Sequence, residues 1–496
     1  MSSEDDPKRL PVVIMGAGPA GLTAAYELRR QGLPATVLER DPRYVGGIAR
    51  TIEYKGYRFD IGGHRFFSKN GEIEDLWSEV LGDELLTRDR LSRIYYKGRY
   101  FDYPVRAQNA LWNLGPLEAV RCLVSYARAR LWPVRDPRTF QDWVSNQFGR
   151  RLTSIFFTTY TEKVWGIPST ELSADWAAQR IKGLSMTEVI RGALRPRRRS
   201  GRGEVIKTLI DHFRYPRLGP GQMWERVAEL LAEDGRPVLQ GLTVTRVRHA
   251  SGRVIGVDAV DADGGTREFE GDSFVSTLAL RDLIRGLDPP PPPEVREAAE
   301  GLGYRDFLTV ALIIDREDVF PDNWIYVHDP AVKVGRLQNF KNWSPAMVAD
   351  QHRTCLGLEY FCFEGDGLWS MADEDLVALA SAELERLGLT RREEVMDGTV
   401  VRQPKAYPVY DDAYRERLDV VRRWLQGNLP NLELCGRNGM HKYNNQDHSM
   451  MTALLVARRI ALGSQLDPWL VNADAEYHEE LRQGEDRSGR LVPTRR

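Results

Sequence analysis

Short apolar runs separated by glycine open the chain. Val12-Val13-Ile14-Met15 passes directly into Gly16-Ala17-Gly18-Pro19-Ala20-Gly21 and then into Leu22-Thr23-Ala24-Ala25-Tyr26-Glu27-Leu28. Four apolar residues bounded by glycine predict a buried strand, and the longer run after them predicts a helix. Ala35-Thr36-Val37-Leu38 predicts the second strand, with Glu39 at its end. Residues 73–80 have a helical period, and two β-like runs around Lys97-Gly98 predict a hairpin that ends at Pro104. From residue 111 to about 198 the pattern is helical, with apolar periodicity over 118–132 and again over 140–157.

The second half alternates differently. Residues 223–234 predict a helix, and 238–278 a β-meander with a hairpin turn at Asp263-Gly264-Gly265. The proline run 289–293 predicts a stiff polyproline spacer. Residues 307–314, 323–327, 333–337 and 355–363 are β-like and suggest one antiparallel sheet. An amphipathic helix over 374–387 follows. Asn431-Leu432-Glu433-Leu434-Cys435-Gly436-Arg437 then predicts a last strand ending at glycine, and 449–462 a closing helix.

The first turn carries specific chemistry. Gly16 permits a tight turn, Gly18 lets a pyrophosphate approach the backbone, and Gly21 lets the helix pack closely on the strand. The N–H groups and partial positive charge of the helix N-terminus suit a phosphate. Glu39 stands where a carboxylate accepts hydrogen bonds from a ribose diol. Glu39-Arg40 then leads into Gly46-Gly47-Ile48-Ala49-Arg50 and Phe59-Asp60-Ile61-Gly62-Gly63-His64. This succession resembles the flavin-binding, glutathione-reductase-like superfamily. The resemblance implies that Arg40, Gly47, Arg50, Gly62, Gly63 and His64 lie along a non-covalent FAD.

Composition excludes several classes. The chain has 496 residues, enough for two to four domains, and a net charge of -2, so no global field draws it to nucleic acid or to an anionic membrane. No apolar run approaches a membrane span, and the polar start lacks a signal-peptide core, so a cytoplasmic protein is expected. Four scattered cysteines and the absence of H-x-x-x-H spacing give no support for a metal or a disulfide framework. The basic run at 195–203 lacks interleaved aromatics and reads as a surface loop.

Four further stretches narrow the resemblance. They are the FAD fingerprint through Gly62-Gly63-His64; Tyr160-Thr161-Glu162-Lys163-Val164-Trp165-Gly166 with Gln179-Arg180-Ile181; Tyr304-Arg305; and Gly436-Arg437-Asn438-Gly439-Met440 through Tyr443-Asn444-Asn445. Together these resemble the UDP-galactopyranose mutase-like branch of the protoporphyrinogen and amine oxidase superfamily. Phe157, Tyr160 and Trp165 then become base and sugar contacts, although helix-core aromatics would give the same pattern. Arg180 and Arg305 become the clamp on a substrate diphosphate. His64 becomes a residue beside the flavin ring, or an ordinary loop residue. Gly436, Arg437, Met440 and Asn445 become flavin contacts, and Tyr407 a pocket residue.

The implied architecture is an α/β protein with a discontinuous FAD-binding Rossmann-type domain (1–104, 205–288 and 426–496 with the C-terminal tail), a helical insert (105–204) and an antiparallel sheet substrate domain (289–425). The implied activity is a nucleotide-sugar pyranose–furanose mutase in which N5 of reduced flavin attacks the anomeric carbon. NAD(P)H would serve only as a flavin reductant. A net-redox oxidase, dehydrogenase or desaturase is the alternative, and a flavin-bearing binding protein a third class. The nucleotide, the sugar and the oligomeric state stay open.

Overall fold

The apolar runs at 12–15, 35–38, 274–276 and 432–434 meet in one parallel sheet. The computed structural model describes residues 11–68, 70–103, 107–174 and 212–472. Arg180, the later part of the expected insert and the basic run at 195–203 lie outside the described residues. The parallel sheet runs in the order Leu432–Leu434, Phe274–Ser276, Val12–Met15, Ala35–Leu38. One face is covered by the helices Pro19–Arg30, Gly71–Leu81, Gly221–Glu233 and Gln446–Leu462. Trp77 lies edge-on to Trp224 in this layer, with ring centroids 6.0 Å apart. The opposite face packs on the meander Thr243–Ala250, Arg253–Val260, Thr266–Glu270 and on three helices.

Two of those helices shift the expected domain limits. Pro293–Glu300 and Tyr414–Asn428 place Val295, Ala299, Val421 and Leu425 in the same core as Val13 and Met15. The chain therefore leaves this layer at Tyr304, not at 289, and returns after Pro408, not after 425. The hairpin Ser92–Tyr96 and Arg99–Asp102, expected in the first segment, joins the second sheet instead, where Ser92–Tyr96 pairs in parallel with Trp324–Val327. Alternation explains the move, since Ile94 and Phe101 pack beneath the helical insert while Tyr95 points into the sheet's own core.

That second sheet has seven strands, in the order Val395–Pro408, Tyr304–Ile314, Thr354–Cys362, Arg336–Asn339, Trp324–Val327, Ser92–Tyr96, Arg99–Asp102. Its period of two divides two environments. Leu308, Val310, Leu312, Leu356 and Leu358 pack with Leu376, Ala380 and Leu384 of the helix Asp373–Arg386. Phe307, Phe361 and Tyr407 turn to the other side and form a cluster with Trp165. The strand at 395–408 was not expected, because Gly398 and Pro404 interrupt its pattern. The register shifts opposite Arg305 and Phe307, and Lys405 has a φ of 52°. This bulge accommodates the proline without breaking the strand.

In the insert, helix Pro116–Leu131 is followed by Phe140–Phe148, Arg150–Thr153, a π turn at Ser154–Thr158, and Thr159–Trp165. The single helix expected over 140–157 is broken at Gly149, which has a φ of 81°. A Cβ there would lie 2.6 Å from the backbone nitrogen of Tyr126, so the break also lets two helices touch. Gly149→Ala should therefore destabilise the chain by about 1–3 kcal/mol from the positive-φ backbone alone, plus the clash. Equilibrium urea denaturation would check this; an unchanged midpoint would contradict it.

Candidate functional site

The parallel sheet ends at the turn that begins one long cleft. Gly16 has a φ of 102°, and its N–H donates to Leu38 O at 2.8 Å. A Cβ on Gly21 would stand 1.9 Å from Gly16 O, and one on Gly16 would stand 2.3 Å from Thr277 Oγ1. Neither position admits a side chain. A Cβ on Gly47 would meet Gly18 Cα at 3.2 Å, so the two glycine loops touch and leave bare backbone facing the cleft. No side chain caps the helix Pro19–Arg30 at Gly18. Glu39 is fixed at the strand end, its carboxylate accepting the N–H of Ala17 at 2.7 Å and of Asp41 at 2.9 Å.

The cleft has a volume of about 1140 Å³ and runs from Gly16, Gly18, Glu39 and Arg40, past Gly47, Gly63, His64, Gly436 and Arg437, to an aromatic end. Its first part fits a dinucleotide: backbone without Cβ atoms for the diphosphate, an uncapped helix N-terminus, and an acid for the ribose. Farther along, Arg437 donates from Nε to Asn444 O and from Nη1 to Ala406 O, both at 2.9 Å. Its guanidinium lies 5.2 Å from the centre of the Tyr407 ring and 5.1 Å from that of Tyr443. Those two rings stack at 5.5 Å and 15°. Asn445, also on the cleft wall, caps the helix Gln446–Leu462 with its side chain.

His64 pairs through Nε2 with Ile61 O at 2.8 Å. Burial, reinforced by the charges of Arg437 and Arg336, lowers its pKa to about 4, so at neutral pH the ring is uncharged. Being neutral, it donates this hydrogen bond from Nε2–H.

The aromatic end brings together Phe156, Phe157, Tyr160, Trp165, Tyr326 and His328 around Arg336. The π turn supplies Phe156 and Phe157, and the following helix supplies Tyr160 and Trp165. Phe157 stacks on Phe148 at 5.1 Å, and Tyr160 on His328 at 4.7 Å. Burial, with the nearby Lys163 charge, pushes His328 down to about 3. Arg336 pairs with the fully buried Glu359 at 2.5 Å, and its Nη2 donates to Tyr407 Oη at 3.2 Å. Glu359 also accepts from Gln338 Nε2 at 2.8 Å. Burial works against the Arg336 charge, but Glu359 and the surrounding tyrosines hold it protonated well above the ordinary range. Its Nε has no partner among the described residues.

Several expected site residues stand elsewhere. Arg305 does not line the cleft; it donates from Nε to Val164 O at 3.0 Å and from Nη2 to Lys163 O at 3.3 Å and Phe361 O at 2.9 Å. It fills the space left by Gly166, whose absent Cβ would lie 2.5 Å from its Cζ, and so ties down the C-terminus of the helix Thr159–Trp165. Met440 is fully buried in the apolar core behind the parallel sheet. Arg50 bonds Gly47 O at 2.7 Å and Gln403 Oε1 at 2.8 Å, which supports the second glycine loop from behind. Gly21 and Gly62 also stand behind the wall, and Arg180 lies outside the described residues. Arg336, Tyr326 and His328 were not singled out from sequence. The one available signal was polar Arg336 and Gln338 alternating with Leu337 in an otherwise apolar sheet.

Residues 19–460 match the family described as "Flavin containing amine oxidoreductase". A crystal structure of reduced UDP-galactopyranose mutase aligns over 92% of this chain and 96% of its own, with a TM-score of 0.78 at 21% identity, which establishes a shared fold. A wild-type putrescine oxidase bound to putrescine aligns over 91% and 99%, with a TM-score of 0.60 at 18% identity. A Klebsiella pneumoniae relative named "Probable UDP-galactopyranose mutase" is 26% identical over 174 residues, 33% of this chain and 43% of that relative, so the match spans less than half of its length. Among the described residues no helix is long and apolar enough to cross a membrane.

The buried histidines give a pH signature. His441, like His64, is lowered to about 4 by burial, so the unfolded chain takes up protons that the folded chain refuses between pH 6.5 and about 4. The contribution of His64 and His441 to stability is full above pH 6.5 and declines as the pH falls through that window, and that of His328 declines down to about pH 3. Nitrogen NMR of the histidine rings at pH 5 should show all three neutral; a charged His64 or His328 would contradict the assignment.

Proposed function

The chain belongs to the family of flavin-containing amine oxidoreductases, and from that premise we propose that it is a nucleotide-sugar pyranose–furanose mutase of the UDP-galactopyranose mutase type. Arg336 carries this reading. It is a half-buried cation at the aromatic end of the cleft, with a buried N–H donor still open beside stacked ring faces. A nucleoside diphosphate needs both features. Phe157, Tyr160 or Trp165 would stack the base for about 1–3 kcal/mol. Arg336 would hold the diphosphate, with Arg180 as the second candidate cation. Tyr407 would border the sugar.

The glycine turn, Glu39, Arg40, Gly47, Gly63, Gly436, Arg437 and Asn445 would hold FAD non-covalently. Bound there and reduced, with NAD(P)H as a candidate electron source, FAD supplies a nucleophilic N5 toward the anomeric carbon. The chain's part is to retain and orient. Arg336 keeps the departing diphosphate close for return, and the aromatic walls exclude water. His64 donates its ring proton to Ile61 O, and the isomerisation leaves it there.

The family description and the putrescine oxidase fold favour a second reading, net oxidation of an amine. The charges oppose it. Arg437 already sits over Tyr407 and Tyr443, the faces that would attract an amine cation, and the carboxylate of Glu359 is already taken by Arg336.

Removing Arg336 alone would strand the buried Glu359, at about 3–5 kcal/mol. The double substitution Arg336→Met with Glu359→Gln avoids this. It should weaken UDP binding by roughly 10- to 100-fold while the flavin absorbance persists. Unchanged affinity, measured by calorimetry, would contradict the diphosphate role.

A further inference from the structure

Helix Pro116–Leu131 buries only one side. Ala119 and Cys122 face inward, and Cys122 packs with Ile94, Phe101, Ile155 and Phe156. On the outer side Leu117, Val120, Val124 and Leu131 are all exposed, Leu131 to 69%. Their steps of three, four and seven residues put them in one stripe. Trp112 at one end is 79% exposed and Trp132 at the other 74%. Eight of the fourteen exposed large hydrophobics described fall between 112 and 134, so this is a patch and not the usual scatter.

The charge around the stripe is mainly positive. By helical spacing Arg121 and Arg128 border it on one side and Arg130 on the other, with Arg135 and Arg138 in the loop that follows; all five are exposed. Between 112 and 138 the only acids are Glu118 and Asp136. Both are already paired, Glu118 with Arg121 and Arg151, and Asp136 with Arg138. The chain as a whole has a net charge of -2, so the excess of arginine is local to this face.

We propose that this face docks on an anionic phospholipid surface, with the helix lying in the plane of the headgroups. An apolar stripe bordered by arginines supplies both burial of side chains among acyl chains and attraction to lipid phosphates. Tryptophans at both ends suit the boundary between water and hydrocarbon. A second copy of the chain fits less well, because a two-fold contact would set the arginine borders against each other with no unpaired acid between them. Docking would bring the catalytic cleft close to the membrane, since Phe156 packs against Cys122 of this helix and also lines the cleft. The docking itself requires no particular reaction there.

The test is flotation of the flavin-loaded full chain with vesicles of phosphatidylcholine alone or mixed with phosphatidylglycerol. The chain should float with the mixed vesicles at least ~10-fold better than with phosphatidylcholine, and less well as salt rises. Val124→Glu with Leu131→Glu should abolish flotation, and Arg128→Glu with Arg130→Glu should reduce it at least ~10-fold, all with flavin absorbance intact. Failure of the parent chain to float, or variants that float as well as the parent, would overturn the proposal. So would a concentration-dependent dimer, lost in the Val124→Glu, Leu131→Glu variant, without vesicle binding; that result would give the face to a second copy.

Discussion

One buried charge pair governs how the cleft is built. Arg336 and Glu359 are direct partners on neighbouring antiparallel strands, and the carboxylate is fully buried. Withdrawing such ions from water costs on the order of several kcal/mol each, so the pair persists only with close geometry and further hydrogen bonds. Gln338 and Tyr407 provide those bonds. The pair also depends on register. A slip of one residue would turn Arg336 away from Glu359 and into the largely apolar layer occupied by Leu337 and Leu358, beneath the helix Asp373–Arg386.

Around that pair the two sheets divide the work. The parallel sheet presents bare backbone and one acid where glycines bring a strand, a helix and a loop into contact. The seven-stranded sheet presents every second side chain, and the insert closes the far end with four aromatics from one π turn and one helix. Tyr407 joins the halves. The bulge at Lys405 precedes it, Arg336 reaches its hydroxyl, and Arg437 lies over its ring. Arg437 is bonded to carbonyl oxygens and Arg336 is balanced by Glu359, so among the described residues the cleft has a positive group and no free acid at this point, which favours the diphosphate reading over the amine.

What was legible in the sequence follows from range. The glycine turn is a local steric demand, and Gly16, Gly18, Gly21 and Glu39 could be read in place. The hairpin at 92–102 could be recognised but not assigned, because its partner strand lies far along the chain and pairing leaves no local trace. Arg305 and Arg336 show the same limit. Each is an arginine in a strand of the same sheet, and only the fold reveals that one meets the carbonyls at the end of a helix while the other meets the cleft. Met440 follows a turn whose Gly436, Arg437 and Asn438 line the cleft, yet its own side chain turns into the core. The strand at 395–408 was hidden by the bulge that makes it useful.

The most direct test of the central claim is turnover under two redox states. Purified chain, reduced with dithionite without oxygen or left oxidised, would be incubated with UDP-, TDP- and GDP-sugars and the products separated and weighed. The account predicts a new sugar nucleotide of unchanged mass, formed by the reduced chain alone. A product lighter by two hydrogens, formed by the oxidised chain, would contradict it and make the protein a net oxidant.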